Sequence, residues 1–157
     1  MTARPIAHAP RPQRGLATVE MAITLPVLLL LLFATAELGH LISQYDTLDK
    51  AVRDGARYAA SVSAQGSTGF VVITPAIQDE VANLVTYGDV NGTGSPLLPG
   101  LSPSDVTVSA TENNLYVEVS VTYTYEPWLG PSLITFGLGK PLPLDVPLTA
   151  ACVMRAL

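Results

Sequence analysis

A single cysteine, Cys152, two histidines, His8 and His40, and only eight basic residues stand in this chain of 157. One cysteine excludes an internal disulfide and a cysteine-based zinc site. Two imidazoles leave little for metal or acid–base chemistry. Charged residues amount to 13%, about half of what a soluble domain usually carries, while hydrophobic residues reach 48%. An intrinsically disordered chain needs the opposite balance. The net charge of −5 comes with no basic patch, which argues against a nucleic-acid binder that works by displacing phosphate counterions.

The charge that is present is unevenly placed. Residues 1–15 hold Arg4, Arg11 and Arg14 and no acid, and the rest of the chain holds five basic residues and all 13 acids. Residues 21–36, MAITLPVLLLLLFATA, carry no charge; counted from Leu16, the apolar run is 21 residues long and broken only by Glu20. As a helix rising about 1.5 Å per residue it spans about 31 Å, one bilayer core. Arginines before the run and acids after it predict one membrane span, N-terminus inside and the remainder outside the cytoplasm.

Three readings of this N-terminus compete. A secretory signal fits the basic start, the apolar core 27–33 and the Ala34-Thr35-Ala36 site, yet it leaves Glu20 where no charge belongs. An uncleaved anchor gives no role to a carboxylate whose insertion costs about 2.5–3.5 kcal/mol. The third reading starts from Arg14-Gly15-Leu16-Ala17-Thr18-Val19-Glu20, where a glycine ends the basic leader, a hydrophobic residue follows and a glutamate stands fifth after the glycine. This resembles the processing site of a type IV prepilin. The resemblance implies cleavage between Gly15 and Leu16 by a prepilin peptidase, and pairing of the new Leu16 amine with the Glu20 carboxylate between neighbouring subunits. Such pairing offsets the desolvation of a lone carboxylate and fixes axial register.

Further along, the resemblance narrows. Val19-Glu20-Met21-Ala22, Leu25-Pro26 before the leucine block, Glu37-Leu38-Gly39, and Ala51-Val52-Arg53-Asp54-Gly55-Ala56-Arg57-Tyr58-Ala59-Ala60 together resemble the TadE-like pseudopilins of Tad (tight adherence, Flp-type) type IV pilus systems. The likeness covers about residues 14–60, with Glu20-Met21 where the usual pattern is Glu-Phe. It implies a minor pilin or pseudopilin acting in pilus assembly, initiation or adhesion, with no cofactor. It also implies an inner-membrane protein, N-terminus cytoplasmic and C-terminal domain periplasmic, whose partners are the prepilin peptidase, other pilins and the Tad inner-membrane assembly platform. The alternative is a single-pass inner-membrane-anchored envelope protein with a periplasmic binding domain and no filament role.

The domain organisation expected is a leader at 1–15, an N-terminal helix at 16–64 (transmembrane at 16–36, periplasmic and amphipathic at 37–64) and a periplasmic domain at 65–157. The fold class is α+β and pilin-like: a long helix, a short second helix and a small antiparallel three-stranded sheet. Pro26 removes a helix hydrogen bond and should kink the membrane half. Beyond the membrane Leu38, Leu41, Ile42, Tyr45, Leu48, Val52, Ala56 and Ala59 recur at helical steps, predicting the face that packs on the rest of the chain. Asp46–Lys50, Asp49–Arg53 and Lys50–Asp54 are opposite charges four apart.

Gly66-Ser67-Thr68-Gly69 reads as a linker. A helix follows from Pro75 to about Tyr87, its face made by Ile77, Val81, Leu84 and Val85 and its end by Gly88. Residues 91–103 read as a surface loop. Strands are expected near 105–111, 115–126 and 144–155, with Glu112-Asn113-Asn114 as a turn and Leu144, Val146, Leu148, Ala150 and Cys152 on one face of the last.

Other candidate sites mostly fail on spacing. Asp89-Val90-Asn91-Gly92-Thr93-Gly94 begins like a calcium loop but ends without its glutamate, so a plain turn is favoured. His40 with Glu37 and Gln44 cannot fill a metal shell. Cys152 reads as a small buried hydrophobe. Ser132 lacks the context of a nucleophile elbow, so no catalytic residue is assigned and no enzyme is expected. Trp128, Leu129, Leu133, Ile134 and Phe136 read as core or helix-docking residues in preference to an exposed binding patch.

Overall fold

The computed structural model describes residues 14–65, 70–111, 113–137 and 139–156. The expected linker at residues 66–69 lies outside these, as does most of the leader.

Helix α1, Arg14–Val62, runs 49 residues and continues through Pro26. Its first half is apolar on every side, with none of its most apolar stretch buried, and it is long and apolar enough to cross a membrane. The second half becomes amphipathic after Glu37. Lys50 pairs with Asp46 at 2.6 Å and Arg53 with Asp49 at 2.7 Å on its outer surface; among the described residues no ion pair joins Lys50 to Asp54.

After α1 a two-residue strand, β1 (Ala64–Gln65), pairs with β2 (Phe70–Val71), a small hairpin the sequence did not announce. Helix α2, Pro75–Tyr87, has the predicted limits. Thr74 caps it by accepting from the Ile77 N–H, and Gly88 ends it at φ 75°, its N–H bonded to the Leu84 carbonyl at 2.9 Å. Residues 91–103 are more than a surface loop. Leu98 and Leu101 are buried in the core, where their apolar surface is removed from water, while the neighbouring Leu97 stays exposed. Ser102 and Asp105 then form a reciprocal cap around a single 3-10 turn, Pro103–Asp105.

Three strands follow as a meander: β3 (Val106–Thr111), β4 (Tyr116–Thr124) and, after a second small hairpin of β5 (Ser132–Leu133) with β6 (Leu142–Pro143), β7 (Pro147–Arg155). The sheet order is β3-β4-β7, antiparallel throughout. Asn113 and Asn114, both at left-handed φ, carry the β3–β4 turn. On β4 the alternation holds as read: Val117, Val119, Val121 and Tyr123 are buried, as is Tyr125 just beyond. The last strand begins three residues later than expected. Pro147 opens β7, and Val146 is exposed while Leu148, Ala150 and Cys152 keep the predicted inward parity.

One face of this sheet packs against both helices, a two-layer α+β arrangement with Leu48, Val52, Ala56 and Ala59 of α1 and Val81 and Val85 of α2 in its core. The helices touch at Gly55, where an added Cβ would lie 2.5 Å from Val85 Cγ2. Glycine is what lets α2 come this close. Tyr58 fastens the same contact by donating to Glu80 Oε2 at 2.8 Å.

Candidate functional site

The amphipathic face of α1 is rotated from the one read in the sequence between residues 37 and 45. Leu38, Ile42 and Tyr45 are exposed, whereas Glu37 and Gln44 are 4% exposed. The buried stripe therefore runs Glu37, Leu41, Gln44, Leu48, Val52, spaced by threes and fours like any helix face, but with polar residues at the end nearest the apolar half of α1. The cause lies on β4, whose inward alternation ends in two tyrosines. A buried phenol needs a partner for its hydroxyl, and α1 supplies one for each.

Tyr125 donates to Glu37 Oε1 at 2.5 Å. The same oxygen accepts the Trp128 backbone N–H at 3.0 Å, and Oε2 accepts that of Leu129 at 3.4 Å. A buried carboxylate thus rests on three neutral donors, with no cation beside it among the described residues. Two turns on, the Gln44 amide donates to the Glu126 carbonyl at 3.2 Å and lies 2.9 Å from His40 Nε2, while its oxygen accepts from the Tyr123 hydroxyl at 3.2 Å. The Tyr123 hydroxyl shares its one proton between that oxygen and the Pro99 carbonyl, which is nearer at 2.8 Å. The His40 ring leans on Tyr125 with centroids 6.0 Å apart. This polar seam ties the outer end of the apolar helix to the end of β4, to residues 126–129 and to the loop at Pro99.

Burial first, and then the bond to Glu37, holds the Tyr125 phenol well above its ordinary range. Tyr123 is raised by burial and by the nearby Glu126 charge. Tyr58 is raised mainly by its bond to Glu80. Tyr58 and Tyr125 are neutral phenols donating to carboxylates, and Tyr123 donates to an amide oxygen and a carbonyl; each bond ties two elements together.

Of the residues picked out at the N-terminus, Leu16 is 71% exposed and Glu20 is exposed, one turn apart on bare helix. A Cβ at Gly15 would meet nothing within 4 Å. Thr24 bonds back to the Glu20 carbonyl at 2.9 Å, and Pro26 follows on the same uncovered helix. The seam lies far along α1 from this segment.

The remaining candidates separate cleanly. Asp89 is held by its own turn, accepting from Thr93 at 2.5 Å and Asn91 at 3.3 Å, and the Thr93 bond is the main reason its carboxyl sits below the usual range. Cys152 is half-buried on β7. The segment expected as core or helix-docking divides: Phe136 stacks on Phe33 of α1, with centroids 6.1 Å apart, while Trp128 is 73% and Ile134 59% exposed.

Sequence reading missed Glu37 and Gln44 as structural residues. Their signal was present: two polar side chains seven apart, in step with Leu41, Leu48 and Val52, and an alternating run elsewhere whose last inward positions are Tyr123 and Tyr125.

Residues 15–57 match the family model described as TadE-like protein. The match covers the bare helix from Gly15, the polar seam on α1 and the glycine at the α1–α2 contact. No curated protein and no solved structure matches the chain.

Proposed function

We propose that this chain, TadE-like over residues 15–57, is a minor pilin or pseudopilin of a Tad-type IV pilus, cleaved between Gly15 and Leu16. The observation that carries the reading is the coincidence of that family match with an uncovered apolar helix whose first turns expose Leu16 and Glu20. In this reading α1 first holds the protein in the inner membrane, N-terminus in the cytoplasm. The exposed carboxylate of Glu20 then receives the amine of a neighbouring subunit's first residue. Opposite charges in lipid attract strongly and desolvate jointly, so this pair selects one axial register for helix packing.

The exposed Leu38, Ile42 and Tyr45 continue the apolar surface beyond the membrane and give neighbouring helices a second strip to pack on. The folded domain on the other face of α1 is displayed, and the role is assembly, initiation or adhesion without a catalytic step. The prepilin peptidase, other pilins and the assembly platform are its partners.

The test is the intact mass and N-terminal sequence of the protein recovered from native membranes, together with Glu20→Ala. A chain beginning at Leu16, and a Glu20→Ala variant that inserts but no longer associates with pilus components, is the expected pair of results. A chain beginning at Glu37 would mean a secretory signal. Retention of residues 1–15 beside an active prepilin peptidase, with assembly indifferent to Glu20→Ala, would leave a plain membrane anchor.

A further inference from the structure

Residues 127–139, PWLGPSLITFGLG, contain no charge, and Lys140 follows. The strands β5 and β6 make this stretch a flap, with the Leu144 N–H bonded to the Pro131 carbonyl at 3.1 Å and the Thr135 hydroxyl to the Gly139 carbonyl at 2.8 Å. Its base is pinned to α1 by the Glu37 carboxylate through the N–H groups of Trp128 and Leu129. Its tip rests on α1 through the Phe136–Phe33 stack. Its outer surface leaves Trp128 73%, Ile134 59% and Leu142 59% exposed, an apolar patch of a kind rarely left facing water.

The position of Phe33 says what covers that patch. If residues 16–36 fill the bilayer core, Phe33 lies about 4.5 Å inside its outer limit at the standard helical rise. A ring stacked on Phe33 at 6.1 Å cannot stand clear of the lipid. We propose that the flap formed by residues 127–137 and 139–144 dips into the outer leaflet of the membrane that α1 crosses, with Ile134 and Phe136 among the acyl chains. Trp128 then lies at the headgroup level where indoles concentrate. The exposed Lys140 reaches the lipid phosphates while its stem stays apolar. Between flap and helix, a largely apolar groove of about 180 Å³, lined by Leu38, Leu41, Leu133 and Leu142 together with the bonded Glu37–Tyr125 pair, is continuous with the same lipid-facing surface. The partner is thus a lipid surface, reached before any contact with another subunit, and the proposal rests on residues 16–36 spanning the membrane.

The chain has one tryptophan, so Trp128 reports on the flap without labelling. The full-length protein is reconstituted into phosphatidylcholine–phosphatidylglycerol vesicles, and its emission is measured with phospholipids brominated near the headgroup end of the acyl chain and with aqueous acrylamide. The expected result is loss of the larger part of the emission to bromolipid and weak quenching by acrylamide. Ile134→Asp and, separately, Leu142→Asp should reverse that order while the protein still floats with vesicles after an alkaline wash. Flotation with Trp128 open to acrylamide and untouched by bromolipid would overturn the flap's insertion and leave the span intact. Shielding from both quenchers would overturn it in favour of a protein contact, with another copy of this chain or with its own domain. Failure to float would instead remove the span on which it rests.

Discussion

The hydroxyl of Tyr125 donates to the carboxylate of Glu37 at 2.5 Å across 88 residues of sequence, and both residues are almost fully buried. The bond joins the last inward position near β4 to the first buried position of α1. Truncation strands several partners at once, since the N–H groups of Trp128 and Leu129 share the same carboxylate. Hydrogen bonds to charged groups contribute about 1.5–3 kcal/mol each, and unsatisfied buried donors cost a similar amount. Glu37→Ala should therefore lower the unfolding free energy of the detergent-solubilised protein by about 3 kcal/mol, and Tyr125→Phe by about 1.5 kcal/mol, in denaturant titrations. The double variant should fall short of the sum, because the two changes remove one shared contact.

The three raised phenols predict an alkaline limit. A tyrosine is neutral below its pKa, and Tyr58, Tyr123 and Tyr125 all have folded values above the unfolded value near 10. Their contribution is fully present below that unfolded value and is lost as pH rises toward the folded ones. Thermal melts should show no tyrosine-linked change below about pH 10 and a falling melting temperature above it. Tyr125→Phe should be less stable at neutral pH and lose less on going alkaline.

The contact at Gly55 gives a packing test. Alanine favours a helix interior by about 1 kcal/mol over glycine, but here its Cβ would meet Val85 Cγ2 at 2.5 Å, on a stiff, buried side chain. Overpacking of this kind costs about 1–3 kcal/mol. Gly55→Ala should be net destabilising in denaturant titrations, and adding Val85→Ala should recover part of the loss. A simple sum of the two single effects would mean that the helices do not meet there as described.

The rotated face of α1 is tested by comparing two sets of leucine-like positions. Leu38→Ser and Ile42→Ser remove exposed side chains and should change domain stability by less than about 0.5 kcal/mol. Leu48→Ala, at a fully buried site, should cost about 2–5 kcal/mol. If the first pair proved as damaging as the last, the polar seam would not be the true inner face.

Much of this fold was legible because simple periods carried it. The strict alternation from Val117 to Tyr125 named β4 and its buried face, and Pro75 and Gly88 marked the limits of α2. The α1 stripe was legible from Leu48 to Ala59, where the apolar positions coincide with burial. It was misread from Leu38 to Tyr45 because hydrophobicity was taken as the guide to burial. At that end, the tyrosine hydroxyls of β4 demanded polar partners, which is tertiary information. The start of β7 was misplaced for a related reason. Leu144 and Val146 extend the alternation by type, but Pro147 opens the strand, and the two preceding residues belong to the flap and its return. Leu98 and Leu101 were submerged in a loop whose Gly and Pro content hid two core anchors.

Helix α1 is at once the apolar rod and a wall of the core, with no interruption between Arg14 and Val62. Tension applied along the rod from its apolar end therefore meets no slack. It passes into the sheet at Glu37 and Gln44 and then through Leu48, Val52 and Ala56, loading those contacts side by side in shear. A chain built this way spreads a pull on its apolar end over all of these contacts at once.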